Sequence, residues 1–152
     1  MYSKQEESLL RKQFWTSFGQ YLAPIPSATG LKINWINYKT GIRHVQFKMD
    51  AVNEQAYIGV ELSHNDPTAQ QLFFNHFKTL QQELENTIGE KWLWEEHTVV
   101  NGKSICRIYQ VMNNINIYRQ ADWPEIISFL KTRIIGLDRF WAAHKDIFEM
   151  LS

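Results

Sequence analysis

The chain has 152 residues, 44% of them hydrophobic, and its 16 basic residues balance 16 acidic ones. This length is typical of one globular domain, and the neutral charge disfavours a dedicated nucleic-acid binder, which usually carries a basic excess. Cys106 is the only cysteine, which excludes an intrachain disulfide. The N-terminus shows no apolar leader and no run approaches the ~18 apolar residues of a membrane span. We therefore expect one cytoplasmic domain over residues 1–152.

The first predicted element is a helix over residues 4–22. Ser3 and Glu6 have the spacing of a capping box, and Pro24 and Pro26 end the helix. Its apolar stripe recurs at helical spacing: Leu10, Phe14, Phe18 and Tyr21.

Three strands are predicted next, over residues 31–39, 43–50 and 55–63. The last two form a hairpin around a turn at 51–54, which pairs Asp50 with Gln55. That register makes every inward pair apolar: Val45–Val60, Phe47–Ile58 and Met49–Ala56. The other face carries three mixed pairs: His44–Glu61, Gln46–Gly59 and Lys48–Tyr57.

A second helix is predicted from Asp66-Pro67, an N-cap followed by proline, to Gly89. Its apolar stripe is Phe73, Phe77, Leu80, Leu84 and Ile88. Asn101-Gly102 between two strand-like runs predicts a two-residue hairpin turn. The turn pairs Trp94 with Tyr109 and Glu96 with Arg107, and it sets Cys106 opposite His97. The thiol is either a buried structural group or half of a reactive Cys–His pair.

The last predicted helix starts at Asp122 with Glu125 three residues on and runs to about residue 150. The predicted order is α-β-β-β-α-β-β-α, an α+β fold with a mainly antiparallel twisted sheet packed against helices.

The last helix carries a heptad seam: Ile127, Leu130, Ile134, Leu137, Trp141, His144, Phe148 and Leu151. Two outcomes stay open. The seam packs on its own sheet, with a bend near Gly136, or its second half forms an interface with a partner helix or a second copy. The candidate interface residues are Leu137, Trp141, His144 and Phe148.

The polar face of the sheet is a candidate binding surface. A turn at Thr40-Gly41 would form the rows Asn37–His44–Glu61, Trp35–Gln46–Gly59 and Ile33–Lys48–Tyr57, with a notch at Gly59. An aromatic floor with charged groups around it suits a stacked base or a peptide. The candidate binding residues are Trp35, His44, Gln46, Lys48, Tyr57 and Glu61. The alternatives are a face covered by a helix or one that is simply solvated.

Several short runs carry a family likeness: Phe14-Trp15, Gly41-Ile42-Arg43, Lys48-Met49-Asp50, Ile58-Gly59-Val60-Glu61-Leu62, Gly89-Glu90-Lys91-Trp92-Leu93-Trp94 and Asp122-Trp123. They resemble a bacterial family designated domain of unknown function 4268, over most of the chain. Members stand alone or follow a nuclease-like domain, so the resemblance implies a link to nucleic-acid metabolism or phage defence. It supplies no catalytic residues.

The sharpest enzyme hypothesis is a restriction-type nuclease, which needs an acidic residue on one strand and Glu-x-Lys on the next. Asp50 and Glu61-Leu62-Ser63 occupy those places, but Ser63 replaces the lysine. The predicted register sets Asp50 six residues from the position opposite Glu61, ~20 Å at ~3.3 Å per residue. One metal ion cannot bridge that distance. We therefore predict no catalytic residues, no metal and no cofactor, and favour a non-enzymatic binding or assembly module for a protein partner or a second copy. The alternative is a nucleic-acid-processing domain, as a degenerate nuclease or its accessory.

Overall fold

A computed structural model of the protein describes residues 2–52 and 54–152. Its elements in chain order are α1 (Lys4–Leu22), β1 (Val45–Ala51), β2 (Gln55–Leu62), α2 (Pro67–Thr79), α3 (Gln81–Ile88), β3 (Leu93–Val100), β4 (Lys103–Asn113) and α4 (Trp123–Leu151). The strands form one antiparallel sheet in the order β1-β2-β4-β3. The α+β class and the antiparallel sheet packed against helices are confirmed. No helix among the described residues is long and apolar enough to cross a membrane.

The hydrophobic core lies between one face of the sheet and helices α2 and α4. Phe77 of α2 is fully buried, and its ring lies 6.2 Å from Trp141 and 4.3 Å from Phe148 of α4. Trp141 in turn contacts Phe47 of β1, with 5.5 Å between ring centroids. The helices therefore pack on the sheet through the face that carries Phe47.

The heptad seam of α4 packs into this core, which is the first of the two outcomes left open by the sequence. Leu137, Trp141 and Phe148 are each at most 3% exposed, so these three side chains offer no surface to a partner. The predicted interface is therefore wrong for them. His144 is partly exposed and lies against the Phe140 ring. Helix α4 is continuous through Gly136. A Cβ there would lie 2.8 Å from Ile88 Cγ1, so this glycine allows α3 to approach α4 closely.

Three helix ends follow the predicted chemistry. The Glu6 amide donates to Ser3 Oγ and the Ser3 amide to the Glu6 carboxylate, each at 3.1 Å. Asp66 caps α2 through the Thr68 amide, and Gly89 ends α3 with φ of 93°. The predicted single helix from Asp66 to Gly89 is divided at Leu80, which separates α2 from α3.

Asp122 is the N-cap residue of α4, as predicted, but its side chain makes no cap hydrogen bond. Its carboxylate instead accepts from the Asn116 amide at 2.9 Å and holds the preceding loop.

The predicted strand over residues 31–39 is wrong, because this segment is irregular. The Asn34 side chain accepts hydrogen bonds from the amides of Ile36 and Asn37, each at 3.2 Å, and this local turn competes with a sheet ladder. Trp35 is 2% exposed and donates from Nε1 to the Ile25 carbonyl at 2.8 Å. The sheet therefore has four strands, and the predicted rows through the 31–39 segment do not form.

The β1–β2 hairpin keeps the predicted faces but is shifted by two residues. The inward pairs are Val45–Leu62, Phe47–Val60, Met49–Ile58 and Ala51–Ala56. Beyond the last pair, Ala51–Ala56, the Val52 amide donates to the Gln55 carbonyl at 2.9 Å, so the connection is shorter than the predicted four-residue turn. Residue 53, part of the predicted turn at 51–54, lies outside the described residues. The shorter connection is the one that hairpins prefer, and it makes the predicted register wrong.

The β3–β4 hairpin has the predicted turn followed by an irregularity that the sequence did not indicate. Asn101 and Gly102 both have positive φ, as a type I′ turn requires, and Val100 pairs with Lys103. Between Glu95 and Thr98 the register shifts, and His97 has φ of 47°. Glu95, rather than Glu96, therefore lies opposite Arg107.

Candidate functional site

The sheet face opposite the helices, called the polar face here, carries charged and aromatic residues in rows across the strands. One row runs Glu95–Arg107–Glu61–Gln46, from β3 to β1. The next row is Leu93–Tyr109–Gly59–Lys48, and a third is Val111–Tyr57–Asp50. These side chains share a face because alternate residues of a strand point to the same side.

Arg107 is the centre of the polar face. Its Nε donates to Glu95 Oε1 at 2.7 Å, and its guanidinium carbon lies 4.2 Å from the Tyr109 ring centroid and 5.5 Å from that of Tyr57. The bond to Glu95 uses Nε alone. Among the residues that the structure describes, this bond leaves most of the guanidinium N–H donors for other acceptors.

Tyr57 and Glu61 complete what we call the polar network, formed by Glu95, Arg107, Tyr57 and Glu61. The Tyr57 hydroxyl donates to Glu61 Oε2 at 2.8 Å, and Glu61 is only 8% exposed. Burial raises the pKa of Tyr57 above its usual range, and the Glu61 carboxylate raises it further. The phenol therefore stays protonated and remains a donor at neutral pH.

The notch predicted at Gly59 is filled. A Cβ at this position would lie 2.6 Å from the Tyr57 hydroxyl oxygen and 2.9 Å from Tyr109 Cβ. Gly59 therefore leaves room for the Tyr57 side chain to lie along the sheet and reach Glu61.

A cavity of about 190 Å³ lies on the polar face. Its floor includes Lys48, Asp50 and the Tyr57, Glu61 and Arg107 part of the polar network. The tip of the β3–β4 hairpin, at Val100 and Asn101, supplies another wall. Hairpin tip and β1 residues line the same cavity, so this side of the sheet is concave.

The structure brings four of the six predicted binding residues together on this face: Gln46, Lys48, Tyr57 and Glu61. Trp35 lies elsewhere, buried in the loop after α1 against Tyr38. His44 is not opposite Glu61, as the shifted register puts Gln46 there. The Ser63 amide donates to the His44 carbonyl, and the His44 ring lies 5.2 Å from that of His64.

The imidazole ring of His64 is buried beside α2. The residue is 9% exposed, its ring lies 4.5 Å from that of Phe73, and neither ring nitrogen has a partner in the described part of the chain. Burial lowers the pKa of His64, and the neighbouring His44 lowers it further. This environment favours a neutral imidazole.

Cys106 and His97 are neighbours, as predicted, but through the irregularity in β3. The thiol sulfur lies 3.9 Å from His97 Nδ1, which also lies 2.9 Å from the Gln70 side-chain oxygen. Burial raises the pKa of the Cys106 thiol. A protonated thiol is a poor nucleophile, so this geometry favours the structural interpretation.

Asp50 and Glu61 line the same cavity, but they lie apart along the sheet. Asp50 pairs with Tyr57, four residues before Glu61, which is ~13 Å at ~3.3 Å per residue. Over residues 2–52 and 54–152, no three His, Cys, Asp or Glu side chains are grouped as metal ligands.

The sequence interpretation missed Arg107, Tyr109 and Glu95 as members of the site. It placed Arg107 in the second hairpin without knowing that β4 lies beside β2. The available signal was the charge of Glu61, since opposite charges favour cross-strand positions.

Fold and site together define a class of protein: an α+β domain whose sheet is closed by helices on one face and carries a charged, tyrosine-lined concavity on the other. Residues 10–145 match the model of a family described as "Domain of unknown function (DUF4268)". The match spans most of the chain, so the protein belongs to this family and the resemblance is confirmed. Neither the curated proteins nor the solved structures contain a match.

Proposed function

We propose that this protein is a non-enzymatic binding module and that its polar face receives a side chain of a protein partner. The observation that carries the proposal is the polar network, in which Arg107 lies beside two stacked tyrosine rings, those of Tyr57 and Tyr109, at the margin of a small cavity. Tyrosine and arginine are enriched among the residues that dominate binding energy at protein interfaces.

The size of the cavity supports a side chain as the occupant. Its volume of about 190 Å³ is below the roughly 300–1,000 Å³ of typical small-molecule pockets. The free donors of Arg107 call for acceptor oxygens, so the favoured occupant is a glutamine or glutamate side chain.

Charge on the polar face supports a protein partner over a nucleic acid. The cations Lys48 and Arg107 share this face with the carboxylates of Asp50, Glu61 and Glu95. Arg107 is already paired with Glu95. Binding to phosphates draws on an excess of positive charge, and on this face three carboxylates outnumber two cations.

Partner capture with matched variants tests the proposal. The wild-type chain, Arg107→Lys and the surface control Arg139→Lys are used as bait in extracts of the source cells, with a photo-crosslinker at Asn101. We expect one cross-linked segment, whose synthetic peptide binds Arg107→Lys about tenfold more weakly, since lysine cannot make a bidentate contact. Equal binding by all three chains would contradict the proposal.

The second candidate is the nucleic-acid-processing domain, which the shared cavity of Asp50 and Glu61 favours. It requires Mg²⁺-dependent cleavage of labelled DNA that Glu61→Gln abolishes. It also requires DNA binding that weakens steeply with salt. We expect neither result.

The bacterial, cytoplasmic setting and the link to phage defence or nucleic-acid metabolism remain proposals, to be tested by the identity of the captured partner.

A further inference from the structure

A second cavity, about 570 Å³ in volume, lies between the loop after α1 and helix α4, away from the polar face. Its size lies within the roughly 300–1,000 Å³ of typical small-molecule sites. The loop contributes Leu31, Ile33 and Tyr38, and α4 contributes Trp141 and Ala142. These residues form an apolar and aromatic part of the lining, and the other lining residues are polar or charged.

The walls of this cavity are held by hydrogen bonds to buried groups. Trp141 Nε1 donates to the Thr40 carbonyl at 2.8 Å. The Ser27 hydroxyl donates to Asp138 Oδ1 at 2.9 Å and the Tyr38 hydroxyl to the same oxygen at 2.6 Å, while the Ala28 amide donates to Oδ2 at 2.7 Å. Because these hydrogen bonds already fix the cavity walls, binding a ligand requires little further ordering of loops and side chains.

Asp138 is the most buried charge that lines the cavity, with 2% exposure. Its hydrogen-bond donors are all neutral, and its carboxylate forms no salt bridge in the part of the chain that the structure describes. A buried charge acts through a lower effective dielectric than a solvated one, so it dominates the potential nearby.

The other charges at the cavity weigh less. Asp146 and Lys39 are both exposed at the rim, where solvent and salt screen them and their opposite charges offset each other. The Lys145 amino group lies 3.9 Å from the Glu149 carboxylate, which offsets part of its charge. The Tyr38 ring, which is partly exposed and stacks on Phe47, adds attraction for a cation.

We propose that this cavity binds a small organic cation, a primary amine or guanidinium on a compact apolar body. The charged group lies toward Asp138 and the aromatic rings, and the apolar body lies against Leu31 and Ile33. This site is independent of the polar face and of the function proposed for it.

Two probes with similar apolar bodies and opposite charge test the choice of ligand. Phenethylamine and 3-phenylpropionate are titrated separately into ¹⁵N-labelled full-length protein, and amide shifts are followed by NMR. We expect phenethylamine to shift the amides of Leu31, Tyr38 and Ala142 and to bind at least about tenfold more tightly than the carboxylate. Equal binding, tighter carboxylate binding, or no shifts with either probe at millimolar concentration would overturn the proposal.

Adjacent alanines provide a matched pair of variants. Ala142 lines the cavity and Ala143 does not, and both are exposed on α4. Ala142→Phe fills the cavity without changing Asp138, so phenethylamine affinity should fall at least about tenfold. Ala143→Phe should bind as the wild type does. Retained binding in the first variant, or equal loss in both folded variants, would contradict the proposal.

Discussion

The two faces of the sheet differ in what holds them together. On the apolar face Phe47, Ile58, Val60 and Ile108 are at most 5% exposed beneath α2 and α4. On the polar face, hydrogen bonds and an ion pair join polar side chains, of which Tyr57, Glu95 and Arg107 are partly exposed and Glu61 is buried. Burial of apolar area dominates folding, whereas partly exposed ion pairs contribute little. The same strands can therefore supply stability from one face and leave the other available for recognition.

The largest effect should come from the apolar face. Phe77→Ala should lower the free energy of unfolding by about 3–5 kcal/mol, because Phe77 is fully buried and a cavity would remain among Trp141 and Phe148. Urea denaturation measures the loss. Leu72→Ala on the same helix is the control, since Leu72 is 47% exposed. A loss below ~1 kcal/mol for Phe77→Ala would show that this core is not well packed.

The polar face is also tightly packed at one point, around Gly59. Gly59→Ala should destabilise by about 1–3 kcal/mol, because the new Cβ would force Tyr57 and Tyr109 to move. In a double-mutant cycle with Tyr57→Ala, the penalty should shrink. Additive losses would mean that the contact with Tyr57 is not the cause.

The distribution of residues between the two faces could be predicted from the sequence, but their alignment could not. Alternation assigned Phe47 and Val60 to one side, Lys48 and Glu61 to the other. A shift of two residues preserves both the alternation and the apolar pairing, so neither test could detect the error in the β1–β2 register. The register of β1 and β2 depends on the length of the turn between them.

Other features of the site depend on contacts that no local pattern reveals. The neighbourhood of Arg107 and Glu61 requires β4 to lie beside β2, and the irregularity in β3 carries no glycine to mark it. Ile33 and Trp35 show the apolar alternation that is typical of a strand. The Asn34 side chain, however, accepts hydrogen bonds from two backbone amides and holds the segment in a turn. Asp138 lies within an apolar seam, where its role depends on a loop about a hundred residues earlier in the chain.

A third prediction concerns the pH dependence of stability. It tests the apolar face, because the His64 ring packs against Phe73 on that side of the sheet. Its pKa is lowered in the folded state. Below the ordinary histidine pKa of ~6.5, the unfolded chain therefore binds a proton at His64 more readily than the folded chain does. The free energy of unfolding consequently decreases as the pH is lowered through this range. The charged or titratable neighbours are His44, Asp66 and Lys103.

Replacing His64 should flatten this dependence. Urea midpoints of the wild type and of His64→Phe, measured above and below pH ~6.5, give the comparison. A variant that loses as much stability on acidification as the wild type would assign the effect to other groups.

The smallest effect on stability should come from the polar network. Glu95→Gln should change the free energy of unfolding by no more than about 1 kcal/mol, because both partners of the pair with Arg107 are partly exposed. The same variant should alter affinity for the captured peptide. A stability loss comparable to that of Phe77→Ala would remove the contrast between the faces.

The irregularity in β3 has a consequence for the behaviour of the protein in concentrated solution. β3 is an edge of the sheet, and a regular edge strand exposes amide and carbonyl groups that template pairing with another chain. The positive φ of His97 interrupts that row midway along the strand. β1, the other edge, carries the charge of Lys48. Both edges are thereby blunted against intermolecular β-aggregation, and straightening β3 by deleting one residue at 96–97 should promote fibril formation.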